Sequence, residues 1–153
     1  MKTVLFICIH NSARSQMAEA FLNRLGEGQY IAESAGLEPG TLNPYVVEVM
    51  KEIGYDLSKN ETKSVFDFYK AGKRYNFVVK VCDALNGQRC PIFPGALNTL
   101  NWNLEDPSAA GGSREEILER TRMIRDLVLK KVQEFIVDPF SDEHTNIVDL
   151  KNK

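Results

Sequence analysis

Thr3-Val4-Leu5-Phe6-Ile7-Cys8-Ile9-His10-Asn11-Ser12-Ala13-Arg14-Ser15-Gln16-Met17 is the stretch on which the reading of this chain turns. Its first seven residues form an unbroken β-branched and aromatic run, the pattern of a strand buried on both faces of a parallel sheet. A polar loop follows at once. From Ser15 the apolar spacing changes to that of a helix, with Met17, Phe21, Leu22 and Leu25 on one side and Gly26 and Gly28 closing it. A buried strand feeding a loop and then a helix is the first half of a βαβ unit.

The same alternation continues outward. Gln29 to Ser34 reads as a second strand, ended by Ala35-Gly36. Pro44 to Ile53 reads as a helix with Pro in its first turn and Gly54 beyond its end. Ser64 to Ala71 fits a short helix, and Asn76 to Cys82 a third strand. Residues 83–98 read as loop and Thr99 to Trp102 as a short fourth strand, with Trp102 a core residue. Residues 103–112 are loop again. Ser113 with Glu116 three positions on is a capping-box signature, and a long helix follows with Ile117, Ile124, Leu127, Val128 and Val132 on its apolar stripe. Strands alternating with helices predict an α/β fold, a four-stranded parallel sheet between helical layers. One domain over residues 1–137 and a polar C-terminal tail over 138–153 are expected.

A chain of 153 residues buries roughly 70% of the surface its unfolded form exposes, enough for a core without staples. Its net charge of −2 provides no long-range attraction for nucleic acid or an anionic membrane, so neither is expected as a partner. An anionic ligand must then be held by local donors. No run of 18 apolar residues marks a membrane span. The apolar start, Val4 to Ile9, is too short and too soon interrupted for a signal peptide, and a cytoplasmic location is expected. Three cysteines, Cys8, Cys82 and Cys90, are an odd count that does not suit a secreted disulfide framework.

The loop from Cys8 to Ser15 carries the chemistry. In open α/β sheets, ligands bind at the carboxyl ends of strands, and Cys8 stands at such an end. A strand-to-helix loop can curl so that successive N–H groups point inward as a nest for an anion, and the helix N-terminus adds donors and the positive end of a dipole. Ile9, His10, Asn11, Ser12, Ala13, Arg14 and Ser15 are the expected oxyanion-binding set, Arg14 through its planar fork. The same field favours a thiolate at Cys8: electropositive helix-terminal sites bring a thiol from about 8.5 down to roughly 3.5–7.5. Ser15 can donate to the sulfur, and Asn11 can hold the loop by bonding to backbone. His10 reads as a loop-packing histidine, because the nest activates Cys8 without a base.

Val4-Leu5-Phe6-Ile7-Cys8, Asn11-Ser12-Ala13-Arg14-Ser15-Gln16-Met17-Ala18-Glu19-Ala20, Glu33-Ser34-Ala35-Gly36 and Asn43-Pro44 together resemble the thioredoxin-coupled arsenate reductases. These share a fold with the low-molecular-weight protein tyrosine phosphatases. The resemblance spans about residues 3–135. It implies a three-layer sandwich with flavodoxin-type strand order. Related reductases can bind a monovalent cation near the loop, with Asn11, Glu19 and Ser34 at matching positions, but the acidic residue expected near Ser64 is missing here, and no metal or cofactor is expected. The resemblance also implies a relay: Cys8 attacks bound arsenate, Cys82 attacks the Cys8 sulfur as arsenite leaves, and Cys90 attacks Cys82. Thioredoxin then reduces the Cys82–Cys90 disulfide by thiolate exchange. Asp106, before Pro107, is implied as the general acid. The alternative is a phosphatase acting on phosphate monoesters through a Cys8 phosphocysteine, which needs only Cys8, Arg14 and Asp106. The phosphatases typically carry a tyrosine after the Asp-Pro pair, where this chain has Ser108. A third reading is a non-catalytic anion-binding or redox-sensing module.

Overall fold

In the computed structural model, residues 1–82, 93–107 and 111–141 are described. Among the described residues, eight elements follow in chain order: β1 (Lys2–Cys8), α1 (Arg14–Leu25), β2 (Tyr30–Gly36), α2 (Pro44–Lys51), α3 (Val65–Lys70), β3 (Tyr75–Cys82), β4 (Ala96–Asn103) and α4 (Arg114–Val137). The four strands form one sheet in the order β2-β1-β3-β4, and every neighbouring pair is parallel. The α/β class and the strand order expected from the sequence are both present.

Alternation within β1 shows why its run is apolar throughout. Val4, Leu5, Phe6 and Ile7 are all fully buried. Val4 and Phe6 face the larger core with Met17 and Phe21 of α1, Val46 and Met50 of α2, and Ile124, Val128, Val132 and Phe135 of α4. Leu5 and Ile7 face the opposite way, against Val65 of α3, Val78 and Phe93. A strand with helices on both faces must be apolar at every position, and the layers are therefore helix, sheet, helix. Phe135 knits the larger core, its ring lying 5.2 Å from Tyr30, 5.3 Å from Phe77 and 6.2 Å from Trp102. Trp102 is buried, its ring tilted against Phe6 with centroids 5.4 Å apart, as a core residue should be.

Some boundaries differ from the sequence reading. β4 runs from Ala96 to Asn103, so the expected loop over 83–98 ends earlier and the strand is twice as long. Its burial alternates, with Leu97, Thr99 and Asn101 turned to solvent, because β4 is the last strand of the sheet on its side; the apolar signal was therefore confined to its end. α2 stops at Lys51, and the residues up to Gly54 continue as a turn, with Gly54 N–H bonded to the Lys51 carbonyl at 3.0 Å. At α4 the Ser113 hydroxyl accepts from the Glu116 N–H at 3.2 Å, the first half of the expected capping box. The hydroxyl also donates to the Glu116 carboxylate at 3.1 Å.

The topology selects the site. From β1 the chain goes to β2 on one side, then crosses to β3 on the other. Strand connections diverge at the carboxyl end of β1, which opens the crevice where open α/β sheets bind ligands. Cys8 is the last residue of β1.

Candidate functional site

The loop after Cys8 is held from outside. The carbonyls of Cys8, Ile9, His10 and Ser12 accept from the N–H groups of Leu37, Glu38, Gly40 and Asn43 at 3.2, 2.8, 3.0 and 3.0 Å. The segment after β2 thus ties down one side of the loop's peptides. With the carbonyls facing out, the amides are left to face in, the arrangement of a nest. Gly36 permits this wrap: a Cβ there would lie 2.8 Å from both the Asn11 nitrogen and the Ile9 oxygen.

Asn11 is the hub. It has a positive φ of 54°, a region Asn enters more readily than most residues. Its N–H donates to the Cys8 sulfur at 3.1 Å. Its side-chain amide donates to the Ser15 hydroxyl at 2.8 Å, and its side-chain oxygen accepts from the Lys63 N–H at 2.9 Å and from Gln16 at 3.2 Å. The Ser15 hydroxyl lies 2.9 Å from the Cys8 sulfur. A Cys8 thiolate can only accept, and against it the Ser15 hydroxyl is the donor. The Asn11 N–H and the Ser15 hydroxyl thus both lie within hydrogen-bond reach of the Cys8 sulfur. Gln16, fully buried, bonds the Asn11 carbonyl at 3.1 Å and the Glu61 carbonyl at 3.0 Å, locking the loop to the segment before α3.

Arg14 opens α1 with its guanidinium buried. One Nη donates to the Leu104 carbonyl at 2.8 Å. The other lies 3.6 Å from the Asp106 carboxylate. The Nε is buried and has no hydrogen-bond partner among the described residues, an omission that costs about 1–3 kcal/mol unless a ligand accepts it. The helix is also open: Ala13 at the N-cap makes no side-chain bond. The first helical bond runs from Met17 N–H to the Ala13 carbonyl at 3.0 Å, so the amides of the first turn have no intrahelical acceptor. An anion seated here would meet those amides, the Arg14 Nε–H and the Cys8 sulfur together.

The expected residues fall as follows. Cys8, Asn11 and Ser15 are in mutual contact, and Arg14 and Asp106 pair beside them. Ser12 and Ala13 are buried within the loop, and Ile9 is half-buried. His10 is exposed, its Nδ1–H directed at the Glu38 carbonyl at 3.0 Å, which fits the loop-packing reading. The backbone of Cys82 ends β3 at the same sheet edge, with Lys80 of that strand in register with Ile7 of β1. Cys90 and Ser108 lie outside the described residues, as does the tail from residue 142. Sequence reasoning missed Gln16, Lys63, the Leu104 carbonyl and the 37–43 collar. Three of these act through backbone atoms, which leave no residue-type signature. Gln16 was legible only as a polar residue on the inner side of α1.

A parallel α/β sheet whose first strand ends in a cysteine, roofed by an inward-facing loop and a buried arginine, is the architecture of the low-molecular-weight phosphatase-like folds. Residues 3–144 match the model of the low molecular weight phosphotyrosine protein phosphatase family, and the chain belongs to that family. It is 35% identical over 135 residues to an arsenate reductase of Bacillus subtilis (strain 168), covering 88% of this chain and 94% of the relative. Among solved structures it is similar to an arsenate reductase in the phosphate binding state, with a TM-score of 0.75, 33% identity, and coverage of 90% of this chain and 98% of that one. It is also similar to a thioredoxin-dependent arsenate reductase of Corynebacterium glutamicum, with a TM-score of 0.57 and 30% identity over 87% of this chain and 62% of that one. No helix among the described residues is long and apolar enough to cross a membrane.

Proposed function

We propose that this chain reduces arsenate to arsenite, using Cys8 as nucleophile and Cys82 and Cys90 as a thiol relay recharged by thioredoxin. The observation that carries the reading is the Cys8 sulfur with two donors on it, in a loop whose neighbouring arginine keeps one buried N–H unspent. The relatives named arsenate reductase, one of them thioredoxin-dependent, support the choice of substrate and donor.

The steps balance as follows. Arsenate sits in the loop against the first-turn amides and Arg14. The Cys8 thiolate attacks arsenic(V), and one oxygen leaves as water after taking a proton from Asp106. Cys82 then attacks the Cys8 sulfur, forming the Cys8–Cys82 disulfide. The electron pair of the sulfur–arsenic bond goes to arsenic, which leaves as arsenite. Cys90 attacks Cys82, freeing Cys8, and the Cys82–Cys90 disulfide passes to the thioredoxin dithiol. The Asp106 carboxylate lies 3.6 Å from the Arg14 guanidinium, a proximity that supports its assignment beside the bound anion. Arsenate-dependent NADPH consumption in the presence of thioredoxin and its reductase tests the whole sequence. No consumption, with Cys8 intact, rules it out.

The second reading is phosphate monoester hydrolysis through a Cys8 phosphocysteine. The family's own description as a phosphotyrosine phosphatase favours it, and the anion loop serves either tetrahedral oxyanion. It uses Cys8, Arg14 and Asp106 without the relay. Hydrolysis of p-nitrophenyl phosphate without arsenate reduction selects it.

A further inference from the structure

Lys80 is the one charged residue in β3, and the sheet around it is apolar. Val78, two positions back, is fully buried, as is Ile7, which stands in register with Lys80 on β1. Val78 and Ile7 belong to the smaller core and Val81 to the larger, so alternation places Lys80 on the smaller-core face. Lys80 is half-buried there, and among the described residues it makes no hydrogen bond or ion pair. An ammonium in such surroundings favours any anion within its reach. Cys82 stands two positions further on, at the end of the strand. Residues two apart on a strand share a face and lie about 6.6 Å apart, a span that a four-carbon stem covers.

We propose that Lys80 is a positioning residue for the thiol relay, its ammonium the counter-charge that holds Cys82 as a thiolate. The proposal rests on Cys82 being the second thiol of that relay. In its step the Cys82 thiolate attacks the Cys8 sulfur, a sulfur–sulfur bond forms, the sulfur–arsenic bond breaks, and its electron pair goes to arsenic. Lys80 neither gives nor takes a proton; it raises the fraction of Cys82 that is ready to attack. The neighbouring strands add no charge in register: Ile7 stands on β1, and Asn101 and Asn103 on β4. α3 covers this face through Val65 and Phe68 and carries Asp67 and Lys70, both exposed. Glu33 on β2 is taken up by Lys73 and Tyr75, and Arg14 pairs with Asp106 at the Cys8 loop. In sequence, Asp83 follows Cys82 and Arg89 precedes Cys90. The Asp83 charge opposes a thiolate at Cys82, which makes a counter-charge matter more.

In the full chain carrying Cys8→Ser and Cys90→Ser, Cys82 is the remaining thiol. Its reaction with a neutral dipyridyl disulfide is followed by absorbance across pH, in this parent and with Lys80→Met added, whose stem keeps the packing. A single counter-charge at this range moves a titration by about one pH unit. Thiolate nucleophilicity rises only about threefold over the same unit of basicity. Lys80→Met should therefore shift the profile upward, react about threefold more slowly at neutral pH, and reach a plateau about threefold higher in alkali. A packing defect slows the reaction at every pH and does not make the two profiles cross. Lys80→Arg should follow the parent. Added salt should move the parent toward Lys80→Met, because Lys80 is partly exposed. Should Lys80→Met fold poorly, Lys80→Gln supplies a second neutral side chain, read in the same way.

Superimposed profiles for Lys80→Met and its parent overturn the proposal. So does uniform slowing without the higher plateau, which assigns Lys80 to packing. The relay is checked apart from this, by the Cys8–Cys82 disulfide that arsenate should trap in a chain carrying Cys90→Ser alone. If none forms, the relay falls, while crossed profiles still leave Lys80 as the counter-charge of Cys82. A trapped disulfide with an unmoved Lys80→Met profile removes only the role of Lys80.

Discussion

The Asn11 side-chain amide donates to the Ser15 hydroxyl at 2.8 Å, and that bond holds the hydroxyl beside the Cys8 sulfur. The sulfur is 2.9 Å away, and to a Cys8 thiolate, which can only accept, Ser15 donates its proton. Hydrogen bonds to a charged partner contribute about 1.5–3 kcal/mol, which is roughly a 10- to 100-fold effect on a rate. Ser15→Ala should reduce Cys8 alkylation and turnover by that range while leaving phosphate affinity nearly unchanged. Asn11→Ala should cost more, since it also removes the acceptor for Lys63 and Gln16. Parallel measurement of alkylation rate and phosphate binding checks this, and equal losses in both for Ser15→Ala would show that the hydroxyl binds the anion instead.

Gly36 makes a sharper prediction about shape. A methyl at this position meets backbone atoms of Asn11 and Ile9 at 2.8 Å, and backbone cannot swing aside as a side-chain end can. Gly36→Ala should push the loop off β2, costing about 1–3 kcal/mol of stability as an overpacked site does. The catalytic loss should be larger in proportion, because a displacement near 1 Å at a reacting group can cost about 10²-fold. Thermal unfolding alongside turnover tests it. A stable, fully active Gly36→Ala enzyme would mean the loop does not wrap over β2 as described.

The legible part of this fold is the part where side-chain type and position agree. The apolar run of Val4 to Ile7 announced a strand covered on both faces, and all four residues are fully buried. Cys8, Asn11, Arg14 and Ser15 were legible because strand end, polar loop and helix start follow one another in sequence. β4 was read short because its exposed alternate residues, Leu97, Thr99 and Asn101, carry no consistent pattern on the sheet's last strand. The collar from Leu37 to Asn43 was invisible because it acts through N–H groups on loop carbonyls, and any non-proline residue supplies those. Lys63 was missed for a related reason: it stands 52 positions along the chain from Asn11, and no periodicity spans that distance.

Glu52 links α2 to α4 and should set part of the acid sensitivity. Arg122 bonds both its oxygens, at 2.8–3.1 Å, and Arg125 adds a contact at 3.0 Å. The Arg122 bonds above all hold the carboxyl below its usual range; burial opposes them, and the charge of Arg122 and the contact with Arg125 add to the lowering. A carboxyl lowered in the folded state stabilises fully above its unfolded value, and that contribution is lost as pH falls through the folded one. Glu52→Gln should therefore melt lower than the parent near neutral pH, with the gap closing in acid. Added salt should narrow the gap too, since the pair is about one-third exposed. A gap independent of pH would assign the loss to packing.

Cys82→Ser separates the two proposed chemistries, because hydrolysis and reduction part company after the first covalent step. A phosphocysteine at Cys8 is resolved by water, so phosphatase turnover needs no second thiol. An arsenic adduct at Cys8 is resolved by a thiolate that takes the sulfur and leaves its electron pair on arsenic, and serine is a poor substitute at that step. The variant should keep phosphate binding and any p-nitrophenyl phosphate hydrolysis while losing thioredoxin-dependent arsenate reduction. Cys90→Ser should instead permit a single turnover, trapping a Cys8–Cys82 disulfide that peptide mapping detects. Full multiple turnover with thioredoxin in Cys90→Ser would remove the relay, and loss of phosphatase activity in Cys82→Ser would show that this residue supports the anion loop itself.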